Sequence, residues 1–128
     1  MAMADWEFTT EGFRDPEEVR RRHVNGLGGA RLAGALRAHL DAWGLPCGEV
    51  YPEDFGWAFE ATGPEGLHLC AVALEPGAGG VLTGHALTDK RRTVLDRLLG
   101  RRREAPDEAV PLAIEAFLRG HPEIRDLA

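Results

Sequence analysis

The sequence predicts a two-layer α+β domain, in which an antiparallel β-meander of about four strands lies between two N-terminal and two C-terminal helices. Three observations lead to this fold class. Hydrophobic residues alternate near the N-terminus and through the middle of the chain, short turns rich in Gly and Pro separate these stretches, and helical periodicity flanks them. A length of 128 residues suits one domain, which we place at residues 3–128, setting Met1 and Ala2 aside as a cloning remnant.

Both N-terminal helices begin and end at recognisable signals. Asp15 is the predicted cap of the first helix, Pro16 suits its first turn, and Asn25 lies at its end. A second helix is predicted over residues 30–43, with Gly44 as its C-terminal stop. Its apolar stripe consists of Leu32, Leu36, Leu40 and Trp43.

The strands are predicted at residues 5–9, 55–61, 67–74 and 81–88, where apolar and polar residues alternate or apolar runs are bounded by turns. If Thr62 pairs with Leu67, one face becomes a core wall and the opposite face carries small residues that a helix could cover. The core wall would hold Phe55, Trp57, Phe59, Cys70, Val72 and Leu74, and the small residues would be Gly56, Ala58, Ala71 and Ala73.

Two further helices are predicted after the last strand. The first would begin at Asp89 and end at Gly100, and the second would end at Gly120 with Pro122 beyond it. Their apolar stripes consist of Val94, Leu95, Leu98 and Leu99, and of Val110, Ile114, Phe117 and Leu118.

The composition favours a cytoplasmic location. The chain has no apolar run of about 18 residues and no basic segment followed by an apolar stretch at its N-terminus, so neither a membrane span nor export is expected. Cys47 and Cys70 are too few for a disulfide framework or a cysteine-based zinc site, and we expect both to be reduced. We also expect no cofactor and no bound metal.

Charge is distributed unevenly along the chain. Residues 38–89 contain eight acidic side chains and no Lys or Arg, whereas residues 90–103 carry seven basic side chains against one Asp. The acidic residues are either solvated turns that the arginines fold back to neutralise, or a docking surface for a basic partner. The basic run Arg101 to Arg103 is a third possibility, a contact to nucleic acid, which the acidic pI of about 5.3 does not favour.

The remaining patterns give weaker candidates for chemistry. Glycines before the second helix, Gly28 and Gly29, together with Arg31 resemble an anion-binding helix start, although their spacing also suits a plain turn between helices. His68 and Cys70 fall on one face of a strand, where a buried structural cysteine is the simpler interpretation. We find no catalytic motif and therefore predict a non-enzymatic protein.

The stretch from Tyr51 to Trp57 resembles an E-D-[FW]-G-W strand found in small bacterial proteins of uncharacterised or immunity type. The resemblance implies an inhibitor that neutralises a toxin or nuclease by binding it, with Glu53 and Asp54 as surface residues and Trp57 in the core.

The predicted function is therefore that of an intracellular, immunity-like inhibitor that occludes a basic protein partner, a toxin or a nucleic-acid-handling enzyme. The candidate partner-binding residues are Glu49, Glu53, Asp54 and Glu60. The alternatives are a small-molecule or anion-binding domain that uses residues 26–31, and a structural or oligomerising subunit. No membrane contact is expected, and the oligomeric state is left open.

Overall fold

The structure, a computed structural model, describes residues 3–64, 66–90 and 109–128. The three α-helices in this part of the chain are α1 (Glu17–Arg20), α2 (Ala30–Ala42) and α3 (Ala109–Gly120), and a short 3₁₀ helix spans Ala78–Gly80. The strands are β1 (Met3–Thr10), β2 (Tyr51–Glu53), β3 (Gly56–Gly63), β4 (Gly66–Pro76), β5 (Leu82–Lys90) and β6 (Ile124–Arg125).

All six strands form one antiparallel sheet in the order β2-β3-β4-β5-β1-β6. The predicted fold, a four-strand meander with two helices at each end, is therefore wrong. Strands β2 to β5 do form a meander, but β1 is inserted between β5 and β6. The two additional strands lie at the edges of the sheet and are only three and two residues long, too short to show a period of two.

Strands β3 and β4 pair as the sequence predicts. Thr62 lies opposite Leu67, and Trp57 lies opposite Val72. The sheet therefore has an inner face, which carries Trp57, and an outer face, which carries Ala58 and its neighbours in register. Phe55 does not join the inner face: it lies in the turn between β2 and β3 and is 46% exposed. The backbone turns at Gly56, which has a φ of +153° and passes so close to the Val72 carbonyl that no side chain fits there.

The core lies between the inner face and helices α2 and α3. Trp57 is only 2% exposed, which confirms its predicted core position, and its indole Nε1 donates to the Leu27 carbonyl at 2.9 Å. Both helices bury the stripes that the sequence predicts, except that Trp43 follows the end of α2 and is 51% exposed. The helical residues of the core are Leu32, Leu36, Leu40, Val110, Ile114, Phe117 and Leu118.

The N-terminal helices differ from the prediction in one informative way. Helix α1 is a single turn without a side-chain cap, and the Asp15 carboxylate is directed at α2 instead. It accepts backbone N–H groups from Gly29, Ala30 and Arg31 at 2.6, 3.1 and 2.8 Å. Asp15 therefore caps the helix that begins 15 residues later, which fixes α1 and α2 to each other.

The predicted helix over residues 89–100 lies outside the described residues from position 91 onward. Its proposed cap, Asp89, belongs to β5, as does the buried Lys90. None of the helices that the structure describes is long and apolar enough to cross a membrane.

Candidate functional site: the acidic outer face of the sheet

The outer face of the sheet collects carboxylates from five different strands. Cross-strand pairing brings β1, β5, β4, β3 and β2 side by side, so residues far apart in sequence share this face. Among the strand residues that the structure describes, only His85 and Arg125 add basic groups to it. The carboxylates of the outer face are Asp5, Glu7, Glu53, Glu60, Glu75 and Asp89.

Few of these charges are neutralised within the described part of the chain. Glu7 lies 3.8 Å from His85, whose ring is charged only when protonated, and Arg125 pairs with Glu11 at 3.6 Å. The other five carboxylates of the outer face form no ion pair with a described residue. Asp5 and Glu7 were not among the predicted site residues. The alternation of polar and apolar residues in β1 was visible in the sequence, but the pairing of β1 with β5, which brings Asp5 and Glu7 to this face, was not predictable from it.

Two of the predicted binding residues, Glu49 and Glu60, line one shallow groove of about 550 Å³ together with Tyr51 and Leu67. Helix α2 positions Glu49, because the Arg37 guanidinium donates to the carbonyls of Gly48 and Cys47 at 2.6 and 3.0 Å. Gly48 in turn donates its N–H to the Glu60 carbonyl at 2.8 Å. The two carboxylates are thus held on one side of the sheet edge.

The other two predicted residues, Glu53 and Asp54, lie at the opposite end of β2. Glu53 pairs with Gly56, and Asp54 follows it in the turn, where its carbonyl accepts the Asn25 side-chain amide at 2.7 Å. Glu60 lies four positions after Gly56 in extended chain, a distance of about 13 Å. The structure therefore brings the four candidates together as two pairs, one at each end of the edge strand.

The backbone at this edge is poorly suited to accept a further strand. Pro52 has no N–H to donate, and Arg37 occupies the carbonyls of Cys47 and Gly48. A partner is therefore expected to contact side chains of the outer face and its rim more readily than the β2 backbone.

The glycine loop before α2 is already filled by the chain itself. Its three N–H donors, those of Gly29, Ala30 and Arg31, are all satisfied by Asp15, and Gly28 donates to the Leu74 carbonyl at 3.2 Å. An external anion would have to displace the Asp15 carboxylate to use the helix N-terminus. Beside the loop lies a groove of about 670 Å³, whose wall includes Arg14 and Arg20.

The two cysteines are free, and neither environment favours a thiolate. Burial raises the pKa of the Cys70 thiol to about 12, outweighing the opposing effect of its contact with the Thr88 hydroxyl at 3.7 Å. Burial also raises the pKa of Cys47, in spite of the nearby Arg37. His68 is buried on the same face as Cys70, and its Nδ1 lies 3.2 Å from the Gly66 carbonyl. This geometry agrees with a structural role for Cys70.

Within residues 3–64, 66–90 and 109–128, no three His, Cys, Asp or Glu side chains are grouped closely enough to hold a metal ion. The carboxylates of the outer face share one side of the sheet but are distributed along five strands, so they do not converge on one point.

Comparison with known proteins gives one partial match. No family model matches the chain, and no solved structure matches it. The chain is 35% identical over 111 residues to the UDP-N-acetylmuramate–L-alanine ligase of Mycolicibacterium vanbaalenii, an alignment that covers 83% of this chain and 23% of the ligase. The chain therefore spans less than a quarter of the length of the curated relative that it matches. This match does not establish that the chain belongs to the ligase family.

Proposed function

We propose that this protein is a non-enzymatic binding protein, an immunity-like inhibitor that occludes a basic protein partner through the acidic outer face of its sheet. The observation that carries the proposal is the outer face itself, where carboxylates from five strands meet few basic groups among the strand residues that the structure describes. Such a face raises the encounter rate with a positively charged partner more than it raises the affinity of the complex. We expect the partner, a toxin or a nucleic-acid-handling enzyme, to present a basic surface to this face.

The positions of the four candidate residues support the proposal. Glu49 and Asp54 are exposed, Glu53 and Glu60 are half-buried, and none of the four forms an ion pair with a described residue. Carboxylates that are not needed to hold the fold together are available to a partner. We place the inhibitor in the cytoplasm, where its two free thiols would remain reduced.

The test uses a synthetic amphipathic peptide of lysine and leucine as the probe, with a glutamate–leucine peptide of equal length as its negative counterpart. Fluorescence anisotropy measures binding at about 50 mM and about 300 mM NaCl. We expect the lysine peptide to bind and the glutamate peptide not to bind. The double reversals Glu49→Lys with Glu60→Lys, and Glu53→Lys with Asp54→Lys, should each weaken binding about tenfold and reduce its salt dependence.

The matched control reverses two exposed carboxylates away from the outer face, Glu18→Lys with Glu123→Lys, which changes the net charge by the same amount. It should change the affinity by less than about twofold. Equal effects of the control and the two outer-face reversals would show that the probe responds only to net charge, and the proposed surface would then be wrong.

A second candidate is a small-molecule site in the groove beside the glycine loop. Its volume of about 670 Å³ lies in the range of small-molecule sites, and Arg14 and Arg20 can face an anionic group. The partial match to a ligase named for UDP-N-acetylmuramate suggests that compound as the probe. A rise in the melting temperature with UDP-N-acetylmuramate, lost in Arg20→Ala, would favour this candidate; no rise would leave the groove without support as its site.

A further inference from the structure

Two segments of the chain meet to form an exposed surface at the β2–β3 end of the sheet. One is residues 20–25, from the end of α1 onward, and the other is residues 53–55, at the end of β2. We call this surface the tip. Its contacts differ from those of the Glu49–Glu60 groove, because here a loop from the helical layer reaches the edge of the sheet.

Hydrogen bonds from His23 and Asn25 connect the two segments of the tip. The buried His23 lies at the centre, with its Nε2 3.0 Å from the Gly56 carbonyl, while its Nδ1 accepts the Asn25 N–H at 3.0 Å. The Asn25 side-chain amide then donates to the Asp54 carbonyl at 2.7 Å. The segments are thus joined by hydrogen bonds on both sides of the residues that they expose.

Two apolar side chains are exposed on these two segments. Val24 is 78% exposed and Phe55 is 46% exposed, and they flank the bond between Asn25 and Asp54 in the two segments. Single exposed apolar residues are common on protein surfaces. An aromatic and an aliphatic side chain exposed together on two hydrogen-bonded segments are instead typical of a protein–protein interface.

The two segments of the tip carry charges of opposite sign that do not pair with each other. Arg20 and Arg22 belong to the first segment, with the Arg22 guanidinium 6.0 Å from the Trp57 ring centroid, and Glu53 and Asp54 belong to the second. None of the four takes part in an ion pair with a residue that the structure describes. We call Arg20 and Arg22 the basic arm of the tip, Glu53 and Asp54 its acidic arm, and Val24 with Phe55 its apolar centre.

We propose that the tip is a self-complementary docking surface for a second copy of this chain. A two-fold axis through the apolar centre would place the basic arm of each copy against the acidic arm of the other, while Val24 and Phe55 of both copies pack at the middle. A basic partner would be complementary to Glu53 and Asp54 only, whereas a second copy is complementary to both the acidic and the basic residues of the tip, so charge complementarity over the whole tip favours the second copy. This inference does not rest on the proposed function, although Glu53 and Asp54 would serve both contacts.

The association is expected to be weak. The two apolar side chains and two charged arms of each copy cover much less than the roughly 800 Å² per partner of a standard interface. The net charge of −6 also makes the copies repel each other at a distance. At about 150 mM NaCl the Debye length is about 8 Å, so this repulsion is screened while the contacting arms still attract.

The test is a charge swap followed by sedimentation equilibrium from about 10 μM to about 1 mM protein. The basic-arm variant carries Arg20→Glu with Arg22→Glu, and the acidic-arm variant carries Glu53→Arg with Asp54→Arg. Each variant alone should associate at least about tenfold more weakly than the unaltered chain, because like charges then face each other. An equimolar mixture of the two should recover the association to within about threefold.

The apolar centre is tested by Phe55→Ser, with Leu112→Ser as a matched control, since Leu112 is 44% exposed on α3 and lies away from the tip. Phe55→Ser should weaken association at least about fivefold, and the control less than about twofold. If Phe55→Ser does not fold, Val24→Ser tests the same centre. A monomer at about 1 mM, an unrecovered mixture, or equal effects of Phe55→Ser and Leu112→Ser would overturn the inference. Binding of the lysine peptide would then still stand on its own.

Discussion

Along β3 and β4 the two faces of the sheet carry opposite kinds of side chain. The inner face presents Trp57, Phe59 and Val72 to the helices, whereas the outer face presents Ala58 and Glu60. Both sets come from the same few residues, because successive side chains in a strand point to opposite faces. The bulky side chains therefore lie on the inner face, whereas the outer face combines small buried residues such as Ala58 with carboxylates such as Glu60, which is half-buried.

The largest effect expected from this comparison is that of Trp57→Ala. The substitution leaves a cavity in the core and removes the hydrogen bond to the Leu27 carbonyl, so the free energy of unfolding should fall by about 3–5 kcal/mol. Urea denaturation measures the change. Leu67→Ala, on the outer face and 38% exposed, is the control and should cost less than about 1 kcal/mol. Similar losses for the two variants would contradict the assignment of the faces.

A smaller effect is expected from adding one methyl group to the inner face. In Gly84→Ala the new Cβ would overlap the ring of the buried Phe8, and the repacking should cost about 1–3 kcal/mol. The matched control is Gly34→Ala in α2, where no atom lies within 4 Å of the added Cβ. There the substitution should stabilise the protein by about 0.5–1 kcal/mol, because alanine is the better helix former. Thermal melts that give the two variants the same sign would refute this picture of the packing.

The smallest effect concerns pH. The Cys70 thiol stays protonated in the folded protein until its pKa of about 12, but in the unfolded chain it ionises near 9.0. Its contribution to stability is complete below pH 9.0 and is lost as pH rises towards 12, because the unfolded chain then releases a proton that the folded one retains. At pH 10 the loss amounts to about 1.4 kcal/mol.

The variant Cys70→Val isolates this effect. Its free energy of unfolding should fall less between pH 7 and pH 10 than that of the unaltered chain, by about the same 1.4 kcal/mol. Chemical denaturation at the two pH values gives the difference. Parallel pH dependence in the two proteins would mean that Cys70 is not buried as the structure has it.

Much of the local structure was predictable from the residues. The apolar stripe of α2 apart from Trp43, its glycine stop, the stripe of α3 and the register of β3 against β4 follow from period and turn chemistry, and the structure confirms them. The role of Asp15 was not predictable in this way. A capping residue satisfies whichever N–H groups lie within reach, and the donors that Asp15 finds are those of α2.

The candidate site was predictable in part. The lack of Lys and Arg from residue 38 to residue 89 pointed to the sheet, and Glu49, Glu53, Asp54 and Glu60 do lie along its edge. Their division into two pairs depends on how far β2 runs beside β3. The exposure of Phe55 was not predictable from the sequence. Phe55, Trp57 and Phe59 alternate as in one strand, but the turn at Gly56 separates Phe55 from β3.

By itself, the sequence determined the helices α2 and α3 and the strands β1, β3, β4 and β5, which are long enough to repeat a period, and most of the side chains that share a face within each. Only the tertiary structure decided that β1 lies between β5 and β6, and that Asp5 and Glu7 join the carboxylates of β3 to β5. The physical reason is the sequence separation over which each effect acts. Periodicity and turn chemistry act over a few residues, whereas strand order depends on pairings and packing across more than 70 positions, which no local pattern records.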